Sequence, residues 1–217
     1  MMLTERLEKI AGCIECSTLA DIGTDHGYIP IYAVKNGKCE RAIACDVNNG
    51  PLNSADENIA TYGLSDKIET RLSDGLEALG VGEADTVVIA GMGGFLIRDI
   101  LERGADRITD DTVLLLQPMV AVAELREHLY KNGYNIFGEL LAREGGKFYN
   151  ILCVKRGKCD YTEKDILLGK GIEDDENYGD YVAFHRNVFK KIINGLSKST
   201  GKEDEIAELK RKLDIMR

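Results

Sequence analysis

No apolar run in the 217 residues approaches the roughly 18 to 20 needed to span a bilayer, and the opening MMLTERLEKIAG is charged and amphipathic, without a signal-peptide core. These absences predict a cytoplasmic chain that stays out of the membrane. Positive charge is also scarce: 28 Lys and Arg face 37 Asp and Glu, a formal net charge of -9, which by composition argues against a nucleic-acid binder. There is no internal repeat and no low-complexity segment. A disulfide framework is not expected, because Cys13, Cys16, Cys39, Cys45, Cys153 and Cys159 lie in a chain with no secretion signal and read as reduced thiols. A metal site is not expected either: Cys13-Ile-Glu-Cys16 is a lone C-x-x-C, and neither His128 nor His185 has a ligand partner at metal-site spacing.

What is present is an ordinary globular composition, 44% hydrophobic and 30% charged, in a length that suits one domain with an appendage. Seven short apolar runs predict strands at Thr18 to Ile22, Arg41 to Val47, Ile68 to Leu72, Thr86 to Ala90, Thr112 to Gln117, Tyr134 to Leu141 and Tyr149 to Lys155. Runs such as TVVIA and TVLLL are apolar on both faces and suit buried parallel strands. Between them, helices are predicted at Ile29 to Asn36, from Pro51 as first helical residue to Tyr62, at Gly94 to Arg103 and at Val120 to Asn132. The last two strands, joined by AREGGK, read as a hairpin.

The expected fold is therefore α/β: a Rossmann-like sheet of seven strands, mostly parallel, with an antiparallel hairpin at one edge. Residues 1–157 form this domain, and residues 158–217 form a helical extension with helices at Asn177 to Leu196 and Lys202 to Met216. The stripe Ile206, Leu209, Leu213 and Met216 has a natural partner in Tyr181, Phe184, Val188 and Ile192, predicting a helical hairpin, coiled-coil-like in its spacing.

The chemistry concentrates at strand ends. Leu19-Ala-Asp-Ile-Gly-Thr-Asp-His-Gly27 closes the first strand and leads into a helix, a cofactor loop with Asp21, Gly23, Thr24, Asp25 and Gly27 in place. It reads D-x-G-x-D-x-G rather than the dinucleotide G-x-G-x-x-G. A carboxylate beside a pyrophosphate is repulsive, whereas Asp21 and Asp25 beside the ammonium and sulfonium of S-adenosylmethionine are favourable, so the charge pattern prefers that cofactor to NAD. Asp25 has a plainer reading, as a turn residue capping the next helix. Asp46-Val47 ends the second strand, where a carboxylate can accept the ribose hydroxyls, and Asp74-Gly75 after the third is placed either for the adenine amine or to cap a helix over Gly75 to Leu79. Ala90-Gly-Met-Gly-Gly94 brings backbone close to a ligand or packs a helix on the sheet, with Ala90, Gly91, Met92 and Gly93 assigned to cofactor and Gly94 to substrate. No Asn/Asp-Pro-Pro-aromatic motif follows the fourth strand. Gln117-Pro118 after the fifth offers an amide that reads a base edge or satisfies backbone.

The order ERLEKIAG, LADIGTDHGYIPIYAV, GPLNSA, DGLEAL, VVIAGMGGFLIRDIL, LLLQP and Gly-Lys-Phe-Tyr resembles the bacterial tRNA (adenine(22)-N(1))-methyltransferases, densely over residues 3–155. Gly27 stands where that family often has Ala, and Met119 where Asn is commoner, so no role is given to the side chain at 119. The resemblance implies a class I S-adenosylmethionine-dependent enzyme that methylates N1 of an adenine in the D-arm region of tRNA. Under that reading Asp25 is the candidate catalytic carboxylate or else purely a cofactor ligand, with His26 and Tyr28 lining or stacking on the base. His26 alone reads equally as a turn histidine.

Arg6 and Lys9 near the N-terminus, and Arg186, Lys190, Lys191 and Lys198 on the extension, are candidate phosphate contacts or simply solvated faces. Residues 155–217 carry a net +1 against -10 for residues 1–154, which softens the compositional objection to tRNA. The chain is expected to act as a monomer or weak dimer. Competing functions are methylation of a small molecule or protein, and a cofactor-binding regulatory module without catalysis.

Overall fold

The computed structural model describes residues 3–217. The chain divides after Cys159 into two compact units, the second being Asp160–Arg217; the expected boundary was Gly157. The first unit runs α1 (Glu5–Gly12), β1 (Thr18–Ile22), α2 (Tyr28–Lys35), β2 (Arg41–Asp46), α3 (Asn49–Thr61), β3 (Ile68–Leu72), β4 (Thr86–Met92), α4 (Gly94–Arg103), a 3-10 turn (Ala105–Arg107), β5 (Val113–Pro118), α5 (Val122–Lys131), β6 (Tyr134–Glu144) and β7 (Lys147–Arg156). The strands form one seven-stranded sheet in the order β3-β2-β1-β4-β5-β7-β6. The four pairings from β3 to β5 are parallel, and β7 is antiparallel to both β5 and β6. The sheet is thus the mostly parallel one with an antiparallel edge hairpin that the apolar runs predict.

Local sequence explains these elements. β1, buried at all five positions, can only be a strand covered on both faces. The β6–β7 turn is Gly145-Gly146, with φ of 57° and 76°, the two positive values that a two-residue hairpin turn of matching twist demands. Leu19, Ala42, Ala44, Val88 and Leu115 pack under α1, α2 and α3 on one face. The alternate residues Ala20, Ile43, Val87, Ile89 and Leu114 are buried on the other face, where α4 lies against β4 and β5.

Between α5, β6 and β7 sits a fully buried ion pair. Arg126 donates from Nε to Glu139 at 3.2 Å and from a terminal nitrogen to its other oxygen, and Asn150 donates to the same carboxylate at 2.8 Å.

Several expectations need correcting. Pro51 occupies the third position of α3, behind Asn49 and Gly50, which remains compatible because the first turn needs no N–H there. Gly75 to Leu79 form turns, not a helix, since Gly75 takes φ of 64°. The second unit adds α6 (Glu163–Leu168) to the two expected helices, α7 (Tyr178–Leu196) and α8 (Glu203–Ile215). Helix α6 is only six residues, too short for periodicity to reveal, but Thr162 and Asp165 close a capping box at its start. The hairpin of α7 against α8 forms, with a rotated stripe: Tyr181 and Met216 are buried, whereas Phe184 and Ile192 are exposed and His185, Phe189 and Ile193 lie further in.

Candidate functional site

The strand order reverses direction between β1 and β4, so the loops leaving their carboxyl ends diverge and open a crevice, the place where open α/β sheets bind ligands. A cleft of about 410 Å³ lies there, within the roughly 300–1,000 Å³ usual for small-molecule sites. Its walls are Arg6 and Leu7 from α1, Asp21 to Ile29 in part, and Ala90 with Gly91.

The β1 loop is pinned from below: the Gly23 and Thr24 amides both donate to the Cys45 carbonyl at 2.8 Å. Gly23 has φ of 78°, and a Cβ there would lie 2.2 Å from the Met92 methyl, so the two loops meet over this residue. Asp21 is buried at the cleft floor, and loss of solvent pushes its carboxyl up to about 6, with Thr24 tempering the rise and the nearby Asp46 charge adding to it. No cation lies within ion-pair distance of Asp21 among the described residues. Asp25 projects outward, its side chain 78% exposed, with His26 Nε2 at 3.4 Å; the His26 ring stacks on Tyr28 at a centroid distance of 5.2 Å. A buried acid, an exposed acid and an aromatic pair thus line one opening.

The other strand ends take more varied positions. Asp46 accepts from the Asn48 amide at 2.8 Å, and Val47 is exposed beside it. Asp74 is held by both terminal nitrogens of Arg103 at 2.7 and 2.9 Å, which draws its carboxyl below the usual range. Gly91 is the extra residue of a bulge between Ala90 and Met92, and Gly93 precedes α4.

Four residues expected at the substrate make contacts within the fold. Gly94 is buried, and a Cβ there would sit 2.3 Å from the Ala121 carbonyl oxygen, so its lack of a side chain serves the packing of α4 on the strained Ala121 turn, at φ of 56°. Gln117 is buried, with Oε1 accepting from Arg6 at 2.6 Å and from the Gly91 amide at 3.1 Å, and Nε2 donating to the Pro118 carbonyl at 2.9 Å. Its amide thus satisfies backbone, one of the two readings the sequence offers, and also holds Arg6. Pro118 is buried at the end of β5 opposite Met92. Lys9 donates to the Leu141 carbonyl and lies 3.8 Å from Glu5, bridging α1 to β6.

Arg6 faces the cleft, with its guanidinium 5.6 Å from the centre of the Tyr149 ring. In the second unit Arg186 donates to the Leu213 carbonyl at 3.2 Å, tying α7 to α8, and with Asn187, Lys190 and Arg217 it lines a separate cavity of about 440 Å³; Lys191 is exposed. Phe95, Leu96, Met119 and Val120, given no part by the sequence, are exposed at the ends of β4 and β5. The C-x-x-C cysteines have different neighbours: Cys13 donates to the Lys9 carbonyl at 3.3 Å and its thiol is influenced by Cys153, whereas that of Cys16 is influenced by Cys39. Among the described residues no group of three or more His, Cys, Asp or Glu is arranged to hold a metal ion, and no helix is long and apolar enough to cross a membrane.

Comparison with known proteins matches residues 3–152 to a methyltransferase domain family. The tRNA (adenine(22)-N(1))-methyltransferase of Bacillus subtilis is 37% identical over 229 aligned positions, covering 100% of this chain and 94% of that protein. TrmK of M. capricolum, solved with the cofactor product S-adenosyl-homocysteine, superposes with a TM-score of 0.87 at 30% identity, covering 100% of this chain and 97% of that one. A Streptococcus pneumoniae protein described as a putative tRNA (m1A22) methyltransferase, solved with S-adenosyl-L-methionine, gives a TM-score of 0.83 at 33% identity over 99% and 98% of the two chains.

Proposed function

This chain belongs to the tRNA (adenine(22)-N(1))-methyltransferase family, and from that premise we propose that it methylates N1 of adenine 22 in tRNA, with S-adenosylmethionine held in the β1–β4 cleft. The observation that carries the reading is Asp21: a buried carboxylate, raised to about 6 and without a cation partner, fits the cofactor's ammonium group. S-adenosylmethionine supplies an electrophilic methyl group on a sulfonium. Asp46, at the next strand end, is placed for the ribose hydroxyls, and the Gly23 and Gly91 backbone for close approach. Asp74 is assigned to the adenine side of the cofactor while paired with Arg103.

Adenine N1 has a free lone pair once the base is unpaired, so the chain has no strong base to provide; its task is in-line positioning. N1 lies on the Watson–Crick edge, and the base must leave its stack to reach the cleft. His26 and Tyr28, stacked and half-exposed at the rim, offer it a ring surface. Methylation leaves a cationic adenine, and the exposed carboxylate of Asp25 is positioned to hold the N6 amino group or to stabilise that charge. Exposed Lys190 and Lys191 serve as phosphate contacts. The enzyme acts in the cytoplasm, as a monomer or weak dimer. Incubation with labelled cofactor and unmodified tRNA, followed by nucleoside analysis, tests the reading: 1-methyladenosine is expected. Transfer to small molecules or protein only, or cofactor binding without any transfer, contradicts it.

A further inference from the structure

We propose that Cys16 and Cys39 are a redox modification site, a thiol pair that peroxide closes into a reversible disulfide at the amino ends of β1 and β2. Both thiols are free in this structure. The backbone brings them together. The Cys16 amide donates to the Lys38 carbonyl at 3.1 Å, the parallel-ladder contact that sets Cys16 beside Cys39. The register of β1 on β2, which begins with Thr18 opposite Arg41, runs back to the same pair. Neighbouring strands lie about 4.8 Å apart, inside the roughly 4.4–6.8 Å between Cα atoms that a disulfide spans. The spacing of Cys13 and Cys16 suggests a different pairing, but Cys13 is the C-cap of α1 and donates back to the Lys9 carbonyl at 3.3 Å.

The two thiols are unlike. Cys16 is half-buried and Cys39 buried, and both line a surface cavity of about 560 Å³. The Cys39 thiol draws Cys16 below the ordinary thiol value, helped by Thr86 and opposed by burial and the Asp85 carboxylate, whereas Cys16 and burial push Cys39 up. Cys16 is therefore the thiolate that meets the oxidant. Its sulfur takes one oxygen of hydrogen peroxide as the O–O bond breaks, leaving a sulfenic acid and a hydroxide that takes up the proton Cys16 gave up. The Cys39 sulfur then attacks the Cys16 sulfur, and the Cys39 proton leaves with the sulfenic hydroxyl as a second water. Two thiols have lost two electrons to the peroxide, and a dithiol returns them. The ring so closed, residues 16–39, contains β1, the loop from Asp21 to Gly27 and α2. The disulfide staples the segment that carries the cofactor loop, while the cleft at the carboxyl ends of the strands stays open.

Treatment of the reduced full chain with hydrogen peroxide, alkylation of the remaining thiols and peptide mass mapping test the proposal. A Cys16–Cys39 linked peptide that dithiothreitol cleaves is expected, together with a melting temperature about 5–10 °C above that of the reduced chain. Cys39→Ser is expected to stop at a sulfenic acid on Cys16, trapped by dimedone, and to lose that gain in melting temperature. Recovery of Cys16 and Cys39 as free thiols, a link from Cys16 to Cys13, or oxidation of Cys16 to a sulfinic acid with Cys39 left free overturns the proposal. A linked chain that melts no higher than the reduced one refutes the staple.

Discussion

At the residue scale the site is a set of carboxylates kept in different states by their surroundings. Asp21 is denied solvent, so its folded-state carboxyl lies near 6 against an ordinary 3.8. The folded chain therefore holds this proton more tightly than the unfolded chain does: stability from Asp21 is present at low pH and is lost as the pH rises through about 6. Cofactor affinity runs the opposite way, because the ammonium needs the ionised form. S-adenosylmethionine binding is expected to weaken up to about tenfold per unit as the pH falls below 6, and Asp21→Asn to bind poorly at every pH while melting higher at pH 8, by about 1–3 kcal/mol. Calorimetry and thermal melts across pH 5 to 8 check both; a pH-independent affinity removes Asp21 from the ammonium site. Asp25, exposed at the rim, has another part. Asp25→Ala is expected to abolish turnover while cofactor binding stays measurable, and near-normal turnover takes it out of the mechanism. Asp21 and Asp25 were legible in the sequence because charge next to a cofactor loop has few uses. Gln117 was legible only as an amide for a base edge or for backbone: that its oxygen accepts from Arg6 of α1, 111 residues away along the chain, as well as from the Gly91 amide of the β4 bulge leaves no local signal.

At the scale of elements, the apolar runs predicted every strand of the sheet, since burial on both faces leaves a contiguous signature. Bulges and close approaches left less trace. The glycines of Ala90 to Gly94 look alike in sequence, yet they do different work: Gly91 takes a positive φ in the bulge, and Gly94 makes room for a carbonyl. Gly94→Ala is expected to cost about 1–3 kcal/mol of stability because backbone must move, while Gly93→Ala, whose Cβ meets only the Val120 side chain at 3.5 Å, stays close to neutral in a denaturation titration. Equal effects at the two positions contradict this division. The edge hairpin carries the costliest polar contact. Removing the Glu139 carboxylate leaves Arg126 charged and buried, and Glu139→Ala is expected to destabilise by about 3–5 kcal/mol in urea unfolding. That pair gave no sequence signal, because Arg126 and Glu139 read as ordinary exposed charges of a helix and an edge strand.

For the whole molecule, the negative charge that argued against nucleic acid is a matter of distribution. With the division after Cys159, the second unit carries eleven basic and thirteen acidic side chains, so it is not a net positive body; the +1 counted over residues 155–217 came from Lys155, Arg156 and Lys158, which belong to the first unit. Its positive charge is local instead: residues 181–202 hold Arg186, Lys190, Lys191, Lys198 and Lys202 with no acidic residue among them. Charge reversal at Lys190 and Lys191 is expected to weaken tRNA binding and to lower the slope of log affinity against log salt by about 2, leaving cofactor affinity unchanged. An unaltered salt slope contradicts a phosphate role for these lysines. The central claim is methyl transfer to one ring nitrogen of one nucleotide. It is tested most directly by reverse transcription of unmodified tRNA after incubation with the enzyme and S-adenosylmethionine, since a methyl on N1 blocks pairing. A stop at adenine 22, absent when that position is guanosine, is the predicted result; read-through of the adenine 22 transcript, or a stop that persists with guanosine, contradicts the account.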